Sequence, residues 1–173
     1  DKTAPYPGIP GTLAALKAAG VTMAVLTNKA DALAGPLVER WFPGVFTAVQ
    51  GALPGQPTKP DPTLLRRLMA RIGAEQGSTL FVGDSNVDIR TGKNGGLDTC
   101  GVLWGFRSVR ELEQEGAGRL IEAPAELVKL VTGTELLTSS DTGRAAELLG
   151  MGRLVAVPTE TVYGLAADAL RAD

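Results

Sequence analysis

Two spacings of apolar residues alternate along the chain. Segments 10–20 and 62–73 place apolar residues three and four positions apart, which predicts helices with one buried face. Segments 21–29 and 78–84 are short apolar runs that end in polar residues, which predicts buried strands. By the same criteria, further helices are predicted over 31–42, 86–96, 108–116 and the second half of 119–131, and further strands over 45–51, 99–105 and the first half of 119–131. Gly35 and Pro36 are expected to weaken or kink the helix over 31–42.

This alternation predicts an α/β fold, a Rossmann-like parallel sheet with helices on both faces. In such sheets, ligands bind beyond the carboxyl ends of the strands. Three polar clusters fall at predicted strand ends or in the loops beside them: Thr27 with Asn28 and Lys29, then Lys59, and finally Asp84 with Asp88. We therefore expect these side chains to meet at one edge of the sheet.

The residue types in these clusters suit a phosphate site. Asp84 and Asp88 offer oxygen ligands to a hard cation such as Mg²⁺, which would also remove the repulsion between the two carboxylates. Lys59 can hold a phosphate group as a point charge. Thr27 and Asn28 can donate a hydroxyl and an amide proton to phosphoryl oxygens. The predicted ligand is therefore a small phosphorylated metabolite.

Each of these residues also has a plainer interpretation when it is considered alone. Asp84 could be a helix cap or a turn residue, and Asp88 an acid that the helix dipole favours in a first turn. Lys59 could be a solvated charge in the loop over 52–62, and Thr27 and Asn28 a simple turn. The order of the whole set along the chain favours the phosphate site.

Composition narrows the chemistry that the chain can perform. The 173 residues contain no histidine, which excludes Ser-His-Asp catalysis and His-ligated metal sites within the chain. The net charge of −2 gives no electrostatic support for a nucleic-acid partner, and no apolar run is long enough to span a membrane. Cys100 is the single cysteine, so it cannot form an internal disulfide; we expect it to be buried and the protein to be cytoplasmic.

The ordered clusters resemble motifs of the haloacid dehalogenase-like hydrolases, and in particular their phosphoglycolate phosphatase-like branch. The strings AVLTNK, KPDP and VGDSNVDI are similar to the second, third and fourth motifs of that family, and the resemblance covers about residues 5–131. It implies a Mg²⁺-dependent phosphatase in which Thr27 binds phosphate, Lys59 is catalytic, Asp84 is a metal ligand and Asp88 supports the metal site.

The sequence departs from this family at the first motif. The family carries an Asp-x-Asp-Gly-Thr strand whose first Asp is the nucleophile and whose second is the general acid and base. The 173 residues contain no such motif, nor the cap that follows it in the family. We therefore expect residues 1–131 to form the C-terminal part of a phosphatase core that is inactive as given. The alternative is a non-catalytic phosphate-binding module.

The character of the chain changes after residue 131. Residues 132–141 are rich in Thr and Ser and are expected to be a linker. A helix is predicted over 143–152, and a strand, a loop and the start of a helix over 153–170. The string PTETVYGL resembles the opening of the YrdC-like threonylcarbamoyl-AMP synthases. For the domain starting at residue 142, this resemblance implies a threonine site at Thr159, threonine and ATP as substrates, and an alternative function in tRNA modification.

Overall fold

The computed structural model describes residues 4–133, together with the backbone of residues 155–158 and 163–166. The chain divides into two compact units, residues 1–134 and 135–173. In the first unit, helices and strands alternate in the order α1 (Ile9–Ala18), β1 (Ala24–Ala30), α2 (Asp31–Trp41), β2 (Ala48–Ala52), α3 (Thr63–Ile72), β3 (Leu80–Gly83), α4 (Asn86–Gly95), β4 (Asp98–Val102), α5 (Val109–Gln114), β5 (Arg119–Ile121) and α6 (Pro124–Thr132). A short 3₁₀ helix, Gln76–Ser78, precedes β3.

The predicted helices and strands of this unit are confirmed, and the α/β class with them. In α3, the buried residues are Leu64, Leu65, Leu68 and Met69, which form the apolar face that the spacing predicts. The weak point expected in α2 is not seen as an interruption, because the helix continues through Pro36 from Asp31 to Trp41. Pro36 is the sixth residue of α2, so it removes one bond near the helix start and leaves the following turns intact.

The strands form two parallel sheets instead of the single predicted one. One sheet pairs β1 with β2, and the other has the order β3-β4-β5. Among the described residues, β1 and β3 therefore each have one hydrogen-bonded neighbour and one unpaired edge. Val82 of β3 is 37% exposed, whereas residues 99–102 of β4 are buried. The strand β3 thus behaves as an edge strand, although its sequence is that of a buried strand.

The strands β1 and β3 both pack against the same apolar cluster. Leu65, Met69 and Leu97 form this cluster, and Leu26 of β1 and Phe81 of β3 pack against it. The cluster, which includes two residues of α3, therefore connects the two sheets through their edge strands. A second cluster, Cys100, Val102 and Ile121, buries the middle of the other sheet under Leu127 and Leu130 of α6.

In the second unit, β6 (Val155–Pro158) pairs antiparallel with β7 (Tyr163–Ala166). The strand at 155–158 agrees with prediction, but residues 163–166 are a strand where the start of a helix was expected. Tyr163 has a high strand propensity and Gly164 a low helix propensity, and pairing satisfies the backbone groups of β6. The helix predicted over 143–152 and residues 134–141 of the predicted linker lie outside the described residues.

No helix in the described part of the chain has the length and apolar character needed to cross a membrane.

Candidate active site

A cavity of about 400 Å³ lies at the carboxyl ends of β1 and β3. It is lined by Thr27, Asn28, Lys29, Lys59, Asp84, Ser85, Asn86, Val87, Asp88, Phe106 and Arg107. The structure therefore brings together the five residues that the sequence predicted to share a site in the first unit. They come from the C-terminal half of β1, the loop between β2 and α3, the turn between β3 and α4, and the first turn of α4.

Lys59 is the central cation of this cavity. Its Nζ donates to Oδ1 of Asp88 at 2.6 Å and to the backbone carbonyl of Leu26 at 3.3 Å. The Lys59 and Asp88 side chains are only 13% and 9% exposed. Lys59 thus neutralises Asp88 and connects the end of β1 with the start of α4.

Asp88 is at once an ion-pair partner and a helix cap. It is the third residue of α4, and its Oδ2 accepts from the Ser85 backbone N–H at 3.1 Å and from the Ser85 hydroxyl at 2.6 Å. The Asp88 N–H donates in return to Ser85 Oγ at 3.3 Å, which completes a capping box. A Cβ on Gly83 would lie 2.2 Å from Cβ of Asp88, so only glycine lets the carboxylate approach the strand end. Both oxygens of Asp88 are therefore engaged.

Asp84 has a different environment, because its partner is a backbone group. Its Oδ2 accepts from the Phe106 N–H at 3.0 Å. A Cβ on Gly105 would lie 2.1 Å from Cβ of Asp84, so this loop packs directly on the carboxylate. No donor in the described part of the chain bonds to the other oxygen, Oδ1. Asp84 thus has one oxygen fixed and one available.

This donor set fits a Mg²⁺ ion that keeps much of its water. The described residues contain no group of three or more acidic, His or Cys side chains that could enclose a metal ion. Mg²⁺ does not need such a group, because one or two carboxylates with water and a substrate phosphate can complete its shell. Asp84 Oδ1 suits a direct ligand of this kind. Asp88, with both oxygens engaged, suits a supporting position.

Thr27 and Asn28 lie in the C-terminal half of β1 and have different hydrogen-bond partners. The Thr27 hydroxyl oxygen accepts from the Lys29 N–H at 3.1 Å, and its own proton remains available to a ligand. The Asn28 side chain bonds to the backbone of Lys59 through both its oxygen and its nitrogen, at 2.9 and 3.2 Å. Asn28 therefore lies in the predicted site, yet its amide is directed at the protein.

Two further cations line the cavity: Lys29, which the sequence placed in a polar cluster without giving it a role, and Arg107, which it did not single out. Lys29 is exposed and directly follows Asn28, so its place in the polar cluster was the available signal. Arg107 is about half exposed and lies 3.6 Å from Glu111. The sequence offered less indication that Arg107 belongs to the site, because this residue lies several positions after the end of β4, as do Gly105 and Phe106.

Of the remaining candidates, Cys100 does not line this cavity and Thr159 lies outside the described residues. Cys100 is fully buried in β4, as predicted, and burial raises the pKa of its thiol to about 11. A thiol with such a pKa stays protonated and is a poor nucleophile. Thr159 lies outside the described residues, and so does any threonine site built around it.

Comparisons with known proteins agree on one family. The family model of the haloacid dehalogenase-like hydrolases matches residues 1–102. The chain is 35% identical over 130 residues to phosphoglycolate phosphatase of Aquifex aeolicus, covering 75% of this chain and 60% of the relative. It is 34% identical over 130 residues to phosphoglycolate phosphatase of Pseudomonas putida, covering 70% of this chain and 45% of the relative. The chain thus spans between 45% and 60% of the length of these relatives. The crystal structure of a predicted phosphoglycolate phosphatase from Haemophilus somnus superposes with a TM-score of 0.70 at 27% identity, covering 76% of this chain and 59% of that one.

Proposed function

The chain belongs to the haloacid dehalogenase-like hydrolases, and we propose that it carries the phosphate- and cation-binding part of a Mg²⁺-dependent phosphatase. The substrate class proposed is the small phosphomonoesters, with 2-phosphoglycolate first among them because the relatives are phosphoglycolate phosphatases. The observation that carries the proposal is the placement of Lys59, Thr27 and Asp84 around one cavity.

Each of these side chains has a role that follows from its contacts. The Lys59 ammonium, at the end of a largely buried side chain, would offset the charge of a bound phosphoryl group. The Thr27 hydroxyl would donate to a phosphoryl oxygen. Asp84 would hold the cation through its available oxygen, and Asp88 would keep Lys59 in place. When bound, Mg²⁺ would supply further neutralisation of the phosphoryl oxygens.

The covalent half of the reaction needs a nucleophile that these 173 residues do not carry in a recognisable motif. In our proposal, an Asp-x-Asp-Gly-Thr strand supplies it by pairing with the unpaired edges of β1 and β3. Both strands are parallel members of their sheets, and both end at the cavity. A strand added in the same direction would deliver its carboxyl end to the same place.

Two measurements on the purified chain test this function. Phosphate release from 2-phosphoglycolate or p-nitrophenyl phosphate with Mg²⁺ should be absent, because no aspartyl-phosphate can form. Inorganic phosphate should nevertheless bind in the presence of Mg²⁺, and Lys59→Ala should weaken that binding at least about tenfold. Arg67→Ala is the matched control, since Arg67 is an exposed cation of α3 that does not line the cavity.

The outcomes separate three interpretations: a phosphatase that needs a further strand, a chain that contains its own nucleophile, and a non-catalytic phosphate-binding module. Failure of the wild-type chain to bind phosphate would overturn the proposed function. Turnover by the chain alone that depends on Asp84 would show that another of its residues is the nucleophile. Turnover that appears only after addition of a peptide with the Asp-x-Asp-Gly-Thr strand would support the enzyme. Phosphate binding without turnover when that peptide is bound would favour the non-catalytic module.

A further inference from the structure

The side chain of Asn28 pairs with the backbone of Lys59 as a neighbouring strand would. Its Oδ1 accepts from the Lys59 N–H at 2.9 Å, and its Nδ2 donates to the Lys59 carbonyl at 3.2 Å. The two residues are 31 positions apart in the sequence. One side chain thus satisfies both backbone polar groups of the residue that bears the central cation.

The loop that carries Lys59 has little regular structure of its own. It runs from the end of β2 to the start of α3, and Pro54, Gly55, Pro57 and Thr58 in it are exposed. On the far side of Lys59, Asn94 donates to the Pro60 carbonyl at 3.0 Å. Asn28 is therefore the contact that fixes the Lys59 backbone to the end of β1.

We propose that Asn28 is a positioning residue that acts on a bound phosphate through Lys59, and not as a phosphate ligand itself. The inference rests on the proposed function, because it assumes that Lys59 receives the phosphate group. The Lys59 side chain reaches both Asp88 and Leu26, so a small shift of its backbone would break one of these contacts. Holding that backbone keeps the ammonium at the cavity.

A double-mutant cycle distinguishes positioning from direct binding. The affinity for inorganic phosphate with Mg²⁺ is measured by ³¹P NMR titration for the wild type, Asn28→Ala, Lys59→Gln and the double variant. We expect Asn28→Ala to weaken binding about five- to tenfold, and to change it less than about twofold when Lys59 is already glutamine. Thr58→Ala is the matched control, because its exposed side chain neighbours Lys59 and makes no hydrogen bond in the described part of the chain.

Hydrogen exchange of the Lys59 backbone amide gives a second readout that does not depend on phosphate. Exchange should be about tenfold faster in Asn28→Ala than in the wild type, and unchanged in Thr58→Ala. Unchanged exchange in Asn28→Ala would overturn the proposal, as would equal losses of phosphate affinity in both Lys59 backgrounds. If the wild type binds no phosphate, the proposed function fails, and the phosphate role of Asn28 with it. The exchange rate would still decide whether Asn28 holds Lys59.

Discussion

Removal of the Asp88 carboxylate should destabilise the first unit strongly, because Asp88 combines two structural roles. The Lys59 side chain is 13% exposed in the wild type. The substitution Asp88→Ala would leave its ammonium with the Leu26 carbonyl as the remaining acceptor among the described residues. It also removes the acceptor of both Ser85 donors at the start of α4.

The expected cost follows from these contacts. Breaking a buried ion pair by removing one partner costs about 3–5 kcal/mol, and loss of a helix cap costs about 1 kcal/mol. The Lys59 and Asp88 side chains keep 13% and 9% of their exposure and border a cavity, so water can relieve part of the charge penalty. We therefore expect the free energy of unfolding to fall by about 3 kcal/mol in total.

Urea unfolding monitored by tryptophan fluorescence measures this change, since Trp41 and Trp104 are the only tryptophans and both lie in the first unit. Replacing Lys59 by Met in the Asp88→Ala background should restore about 2 kcal/mol of the free energy of unfolding, because the unpaired ammonium is removed. Asp98→Ala is the matched control: Asp98 is an exposed acid at the start of β4, and its loss should cost less than about 0.5 kcal/mol. Equal costs for Asp88→Ala and Asp98→Ala would refute the reasoning.

Two further predictions concern Asp84 and Cys100. Gly105→Ala would place a Cβ 2.1 Å from Cβ of Asp84, so it should weaken Mn²⁺ binding, measured by electron paramagnetic resonance, about tenfold or more. Gly11→Ala is the control, because its added Cβ would meet no atom within 4 Å, and it should leave Mn²⁺ affinity unchanged. Equal Mn²⁺ affinities in the two variants would contradict the proposed role of Asp84 as a metal ligand. Cys100 should react with a disulfide reagent at pH 8 at least about 100-fold more slowly in the folded chain than in urea, because it is buried and its pKa is raised to about 11. Its folded-state thiolate should form only as the pH rises from about 9 toward 11, and rapid labelling at pH 8 would show that β4 is not buried.

The sequence predicts the elements of the first unit well and their pairing poorly, for a physical reason. Spacing of apolar residues reports which side of an element is buried, so α3 and its four buried residues follow directly from residues 62–73. The hydrogen-bond partner of a strand leaves no such pattern. The apolar run over 78–84 predicts a buried strand, whereas β3 has one hydrogen-bonded neighbour and one unpaired edge in the described part of the chain.

In the site too, the sequence predicts which residues come together but not which groups they hydrogen-bond. The position of polar residues at strand ends was enough to predict that Thr27, Lys59 and Asp84 share a cavity. It could not predict that Asn28 bonds to the backbone of Lys59, or that the Phe106 N–H fixes Asp84. Every residue except proline carries a backbone N–H, so such a donor has no signature in the sequence.

The contacts at the cavity assign different tasks to its two carboxylates, whereas their residue types alone offered both as ligands of one cation. Lys59 neutralises Asp88, and Asp84 retains an available oxygen. Three cationic side chains and two carboxylates line the cavity, which leaves one formal positive charge to meet a phosphate dianion. A divalent cation at Asp84 would raise that charge to three. Phosphate binding should therefore be strengthened by Mg²⁺ through electrostatics alone, even without a nucleophile in the cavity.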